Sequence, residues 1–414
     1  MKTTLMSCAA ACALAFGAMG SASAEDLRFT VWTGSEAHLS MLNGIAESFT
    51  ATHPDVTVSF ETIPAGDYTQ KLTFQIAGGN TPDLGWMFED AAPAFADAGV
   101  LENVGPALKG AAGYDFADFS KPAMGLWEDG DTVNGIPFST SPFMVYYNKT
   151  LFDEAGLEDP LALSAKGEWT MDAWRTAAKT LKDKTGTWGF DFKDGEGYDS
   201  RILHALMPPI RAYGGYAWKD GECGFNKPEA VEAVTVLHDM VFKDKSIVPP
   251  GETGDFFSGD AAMTVNQISR ASRLSDVAFD WGIAPLPTGP AGEAPVIGQA
   301  GIVVFAEGDQ KALATEFLAH MTNAENVKIM AQFFPPARKS VLESGVLVEA
   351  NALIPADQMA NVATAIETGS VLPSSKNMPQ ILAALKPRSD ALWRPDADVE
   401  KALQAICTAI QPQL

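Results

Sequence analysis

Apolar and polar residues alternate through LRFTVW at residues 27–32, and apolar residues then recur at Leu39, Leu42, Ile45 and Phe49, the spacing of one helix face. A strand therefore gives way to a helix, with Ser35 placed to cap it. The alternation repeats. VTVSFE at 56–61 reads as a strand, PAGD at 64–67 as a loop, residues 68–77 as a helix stopped by Gly78 and Gly79, and DLGWMF at 83–88 as a third strand. Successive βα units predict a parallel sheet with helices on both faces. In such sheets the loops after strands carry ligand contacts. Ser35, Glu36, His38 and Asp67 are candidates on that ground, as are Glu89 and Asp90 just past the third strand.

Residues 134–157 (NGIPFSTSPFMVYYNKTLFDEAGL) break this rhythm. Pro137 and Pro142 stiffen a run of small hydroxyl residues, Ser139, Thr140 and Ser141, ahead of an apolar strand at 143–147. Asn148 and Lys149 then open an amphipathic helix that stops at Gly156. Polar without charge, this stretch reads as a crossover between two bodies, although an ordinary strand between turns has the same composition. Asp129-Gly130 reads as a hairpin turn leading into it. Beyond it, Thr170 caps a helix to 181, residues 188–192 form a strand, 200–213 a helix broken by Pro208-Pro209, and Pro228 starts a long helix. A helix turn feeding a strand at 256–265, the stretch 281–287, a glycine-rich approach to a strand at 295–305 and helices at 310–321, 324–333, 359–368 and 399–410 complete the series.

GIPFSTSPFMVYYNKTLFDEAGL resembles the hinge signature of family 1 solute-binding proteins, the sugar-capturing component of bacterial ABC importers. Further stretches are similar in the same order: GGNTPDLGWMFEDAAPAFADAGVLENV, EWTMD, GGYAWKDGECGFNKPEAVEAV, FFSGDAAMTV and PPARKSVL, the last containing Arg338. The resemblance as a whole extends from about Asp26 to Ala409. The resemblance implies a two-lobe α/β periplasmic binding protein fold of type II, each lobe a mainly parallel sheet flanked by helices. Lobe one would take residues 25–138 and 303–336, lobe two 139–302 and 337–414, with hinge crossings near 137–142, 299–304 and 335–340. It implies a sugar ligand held in the interlobe cleft, a membrane permease as partner, and an acid near Asp90 that holds sugar hydroxyls. Paired acids at a helix start are equally what the helix dipole favours.

The full set of candidate ligand contacts is Ser35, Glu36, His38, Asp67, Glu89, Asp90, Thr140, Ser141, Tyr216, Asn266, Arg270, Gln299, Gly301 and Arg338. Trp32, Trp86, Tyr216, Trp218 and Trp281 are available to stack on sugar faces, and core packing is the competing role for each. Ser141 stands where maltodextrin binders of the family carry an acid, and Ser269-Arg270 where they carry a stacking tryptophan. Hydroxyl and guanidinium donate to oxyanions, so the substitution points to a smaller, anionic ligand such as a sulfonated sugar glycoside of the sulfoquinovosyl glycerol type. Arg270 and Arg273 read equally well as charges on a solvated helix.

The composition narrows the class. Of 414 residues 46% are hydrophobic and 20% charged, which suits a soluble chain of two domains. A formal net charge of −23 argues against nucleic acid or an anionic membrane surface as partner. Lys2, the apolar run at 9–19 and Ala22-Ser23-Ala24 form a signal peptide at residues 1–24, cleaved after Ala24. A free periplasmic monomer without membrane insertion is expected. Cys223 and Cys407 remain after cleavage; an oxidising compartment permits a bridge, and two buried thiols are the preferred reading. There is no GxSxG elbow, phosphate loop or strand-linked GxGxxG. The five histidines are scattered and no EF-type calcium loop is present. No enzyme, cofactor or metal is expected; the alternative is a secreted glycosidase with two carboxylates across the cleft.

Overall fold

The computed structural model describes residues 25–191, 202–351 and 353–414. The signal peptide lies outside them, as does Phe192, the last residue of one expected strand. β1 (Glu25–Val31) pairs in parallel with β2 (Val56–Thr62) on one side and β3 (Leu84–Phe88) on the other. The connections are α1 (Glu36–Thr50) and α2 (Tyr68–Ala77). Ser35 Oγ accepts the His38 N–H at 3.4 Å, and α1 buries Met41, Leu42, Ile45 and Phe49.

The crossover stretch forms β4 (Ile136–Asn148), thirteen residues that are all buried. Its side chains alternate between environments as strand geometry requires. Ile136 and Phe138 join a first core with Leu27, Phe29, Trp86 and Trp127. Phe143, Val145 and Tyr147 join a second with Trp169, Trp174 and Leu206, while Met144 and Tyr146 face a third cluster on the opposite side with Phe256, Ile283 and Val362. One strand thus begins in one body and ends in another.

The exit from β4 follows capping chemistry. Asn148 Oδ1 accepts the Leu151 N–H at 3.1 Å, α3 (Lys149–Ala155) follows, and Gly156 closes it at φ 63°. A left-handed residue at that point favours glycine.

Second-body helices are α4 (Met171–Thr185), α5 (Ile202–Ala212), α6 (Pro228–Phe242) and α7 (Val399–Ile410). β5 (Met263–Gln267) and β6 (Trp281–Ala284) both pair antiparallel with β4. β7 (Val296–Val304) runs antiparallel between β3 and β4, giving the order β6-β4-β7-β3-β1-β2 in a sheet that curls through both bodies.

Several expectations need correction. The second lobe is mixed rather than mainly parallel: the ladders of β4 with β5 and β6 are antiparallel, while Val296-Ile297 pairs in parallel with Ser370-Val371 and single parallel bridges join Phe190 with Ile247 and Asp191 with Thr264. Pro208 and Pro209 do not break their helix; α5 runs through both. Cys223 and Cys407 form a disulfide, Cα to Cα 5.4 Å, that ties a hairpin to α7. Around the third expected crossing the chain serves both sides: Ala337 and Val341 pack in the first core, and Ala331, Leu347 and Ile354 in the cluster behind β4. No described helix is long and apolar enough to cross a membrane.

Candidate functional site

The bodies meet where β4 and β7 pass from one to the other. Beside that junction the backbone N–H of Thr140 donates to Pro335 O at 2.8 Å, and the Glu89 N–H to Gln299 O at 3.3 Å. Glu89, buried at the end of β3, faces His204 of α5 with Oε1 to Nε2 at 3.4 Å. First-body acid and second-body imidazole therefore touch across the gap.

Three buried polar atoms near this junction have no hydrogen-bond partner: His38 Nε2, Trp86 Nε1 and Thr140 Oγ1. The His38 and Trp86 rings and the Thr140 backbone neighbour the Phe334-Pro335 turn. The His38 ring lies 4.9 Å from Phe334 and 4.6 Å from Phe333, Trp86 lies 5.7 Å from Phe334 and stacks on Phe138 at 4.8 Å, and Thr140 bonds to Pro335. Leaving a buried polar group unpaired costs about 1–3 kcal/mol, so each of these atoms calls for a partner. His38 Nδ1 sits 2.9 Å from Thr33 Oγ1. Burial pushes its imidazole down to about 4, which keeps it neutral at neutral pH.

Among the other expected contacts, Ser35 caps α1 and Glu36 is exposed in its first turn. Asp67 is exposed and paired with Lys71 at 3.5 Å. Asp90 is half-buried beside Glu89. Ser141 Oγ accepts the Ser269 N–H at 2.9 Å, and Asn266 donates to Thr264 Oγ1 at 3.5 Å. Tyr216 packs its ring on the hairpin of the second body, where a Cβ on Gly224 would come within 2.4 Å of it. Arg270 is half-buried near Tyr146, and Arg273 pairs with Asp255 while lying 3.8 Å over Phe257.

Three candidates are committed elsewhere. Gln299 accepts from Trp127 Nε1 and donates to Ala123 O, both at 2.9 Å, which uses its amide inside the first body. Gly301 is the floor on which Trp127 lies; a Cβ there would meet the indole at 2.5 Å. Arg338 is 1% exposed and donates to the carbonyls of Thr322, Asp115 and Tyr114 and to the Asp118 carboxylate, stacked between Tyr114 and Phe119. Its guanidinium is a brace of the first core, with four of its five N–H donors used there. His204 and Phe334, by contrast, were not legible as site residues. Their sequence neighbourhoods read as an ordinary helix and a turn, and only long-range packing brings them to the junction.

Trp32, expected to be free to stack, is half-buried in an aromatic cluster, parallel to Phe88 at 3.8 Å and edge-on to Tyr68 and Trp86. Among the described residues no group of three His, Cys, Asp or Glu is arranged to hold a metal.

Comparison with known proteins agrees with this architecture. Residues 44–356 match the bacterial extracellular solute-binding protein family. The sn-glycerol-3-phosphate-binding periplasmic protein UgpB of Shigella dysenteriae serotype 1 is 28% identical over 343 residues, 77% of this chain and 75% of its own. The ABC substrate-binding protein Lmo0181 from Listeria monocytogenes, solved with cycloalternan, superposes with TM-score 0.81 at 24% identity over 94% of this chain and 99% of its own. UgpB from Mycobacterium tuberculosis, solved with glycerophosphocholine, gives 0.79 at 21% identity over 94% and 98%. These neighbours share the two-lobe fold of type II periplasmic binding proteins. A match over most of its length, on a curled sheet that serves two cores, makes this chain a member of the bacterial extracellular solute-binding protein family.

Proposed function

We propose that the protein is exported to the periplasm, captures a sugar or glycoside between its two bodies, and delivers it to the permease of an ABC importer. The observation that carries this reading is the cluster of unpartnered atoms, His38 Nε2, Trp86 Nε1 and Thr140 Oγ1, beside the Glu89–His204 contact. A neutral imidazole, an indole N–H and a hydroxyl suit an uncharged, hydroxyl-rich solute. Relatives named for glycerol phosphate, cycloalternan and glycerophosphocholine have hydroxyl-bearing ligands in common, two of which also carry a phosphate. Of the groups expected to attract a sulfonate, Arg273 pairs with Asp255, while Ser141 Oγ accepts the Ser269 N–H and keeps its own O–H to donate. Neutral glycosides are therefore the first ligands to test and sulfonated ones the second.

Capture would follow from closure. Shifting an open-to-closed ratio from about 1:99 to 99:1 takes about 5.5 kcal/mol of differential binding. A handful of desolvated hydrogen bonds reaches that figure. A thermal-shift panel of neutral and sulfonated glycosides tests the reading: a ligand at one hundred times its Kd should add about 2.7 kcal/mol of stability. Absence of stabilisation by every hydroxyl-rich solute, or turnover of a bound glycoside, would overturn it.

A further inference from the structure

The second body contains a cavity that solute capture at the junction does not use. Its walls are Met171 and Trp174 of α4, Phe190, His204, Ala205, Pro208 and Pro209 of α5, Leu237 of α6, Val265 of β5, and Leu286-Pro287, and its empty space including the mouth is about 460 Å³. The lining is apolar except at three points. Trp174 is 4% exposed, yet its indole N–H has no hydrogen-bond partner. Pro209, inside α5, has no N–H to give to the Ala205 carbonyl one turn back. The third point is His204, whose ring lines the cavity while its Nε2 faces Glu89 of the first body at 3.4 Å. Val265 stands in β5 next to Asn266, on the opposite face of the strand.

We infer that this cavity is a binding subsite for the aglycone of a glycoside: a small aryl or alkyl group bearing one hydroxyl or ether oxygen. The walls supply apolar area, the Trp174 N–H supplies a donor for that oxygen, and the Ala205 carbonyl supplies an acceptor for its proton. His204 marks where the subsite joins the interlobe gap, so a sugar at the junction and its aglycone in the cavity would be continuous. The inference rests on the glycoside reading above for the identity of the attached group, but the cavity itself can be tested without sugar.

The first arm uses 4-iodophenol and iodobenzene with the mature chain, read by calorimetry and by the anomalous iodine signal in crystals. Iodine is expected between Trp174 and Leu237, with 4-iodophenol bound roughly tenfold more tightly than iodobenzene because only it pairs with the indole N–H. Ala205→Phe, which fills the space, should abolish both. Trp174→Phe, a gentler change, should equalise them. The second arm compares methyl and phenyl glycosides of glucose, galactose and mannose, where the wild type should prefer the phenyl member by roughly tenfold or more and Ala205→Phe should not. No iodine in the cavity, or methyl and phenyl glycosides bound equally, overturns the subsite while leaving sugar capture intact. Iodophenol bound without any glycoside bound supports the cavity and counts instead against the sugar reading.

Discussion

The two bodies are held together by different means. In the first, away from the junction, several large polar side chains are buried and satisfied: Arg338 serves four acceptors, Gln299 two partners, and the Tyr68 hydroxyl lies within hydrogen-bond distance of Thr30 and Trp86 O. In the second, a covalent bridge joins Cys223 to Cys407 and the interior keeps an apolar cavity with an unpaired indole. A network of buried hydrogen bonds fixes geometry closely, because each lost partner leaves a costly orphan. A cross-link acts mainly on the unfolded chain and leaves the native interior free to hold space. The first body is thus braced by buried hydrogen bonds, and the second by a cross-link around an interior that keeps space.

The largest effect expected from breaking this contrast comes from the disulfide. Cys223→Ala with Cys407→Ala releases a loop spanning 184 positions, and chain entropy puts the loss at about 5 kcal/mol. Urea denaturation should register it while affinity per folded molecule stays the same. Arg338→Met should cost about 4 kcal/mol, since it strands the acceptors of Thr322, Tyr114, Asp115 and Asp118 in the first body. A variant that loses ligand affinity with stability intact would instead make Arg338 a ligand contact. Gly301→Ala should cost about 2 kcal/mol by forcing Trp127 off β7, seen as a lower thermal midpoint.

The smallest effect concerns pH. His38 binds its proton at about pH 4 in the folded chain against 6.5 ordinarily, so between those values the unfolded state holds more protons. Stability is therefore complete above about pH 6.5 and declines as the pH falls towards 4, by about 2 kcal/mol once partial solvent screening is allowed for. His38→Phe should flatten that part of the stability profile. An unchanged slope would show that the imidazole is not the group responsible.

Much of this contrast was legible in the sequence where the signal is local. The α1 cap at Ser35, the Asn148-to-Gly156 helix and the alternation through residues 27–32 depend on neighbours a few positions apart. Pro137, Pro142 and the hydroxyl run fall in a strand buried throughout, and such a strand must limit charge. What failed was long range. Arg338 finds its partners in residues 114–118, and Cys223 finds its own 184 positions later; spacing along a chain carries no trace of either. Pro208 and Pro209 were read as a break because each removes a helical hydrogen bond, but Leu206, Met207 and Ile210 bury the same helix in the second core. The antiparallel ladders of β4 were missed because a buried strand reads alike in either direction.

The central claim is that one solute is gripped by both bodies at their junction. A crystal structure of the mature chain with the tightest-binding glycoside of the panel tests it most directly. The account predicts ligand density within hydrogen-bond reach of His38 Nε2, Trp86 Nε1 and Thr140 Oγ1, with second-body contacts closing from the side of His204. Density confined to one body, or lying away from those three atoms, would contradict it.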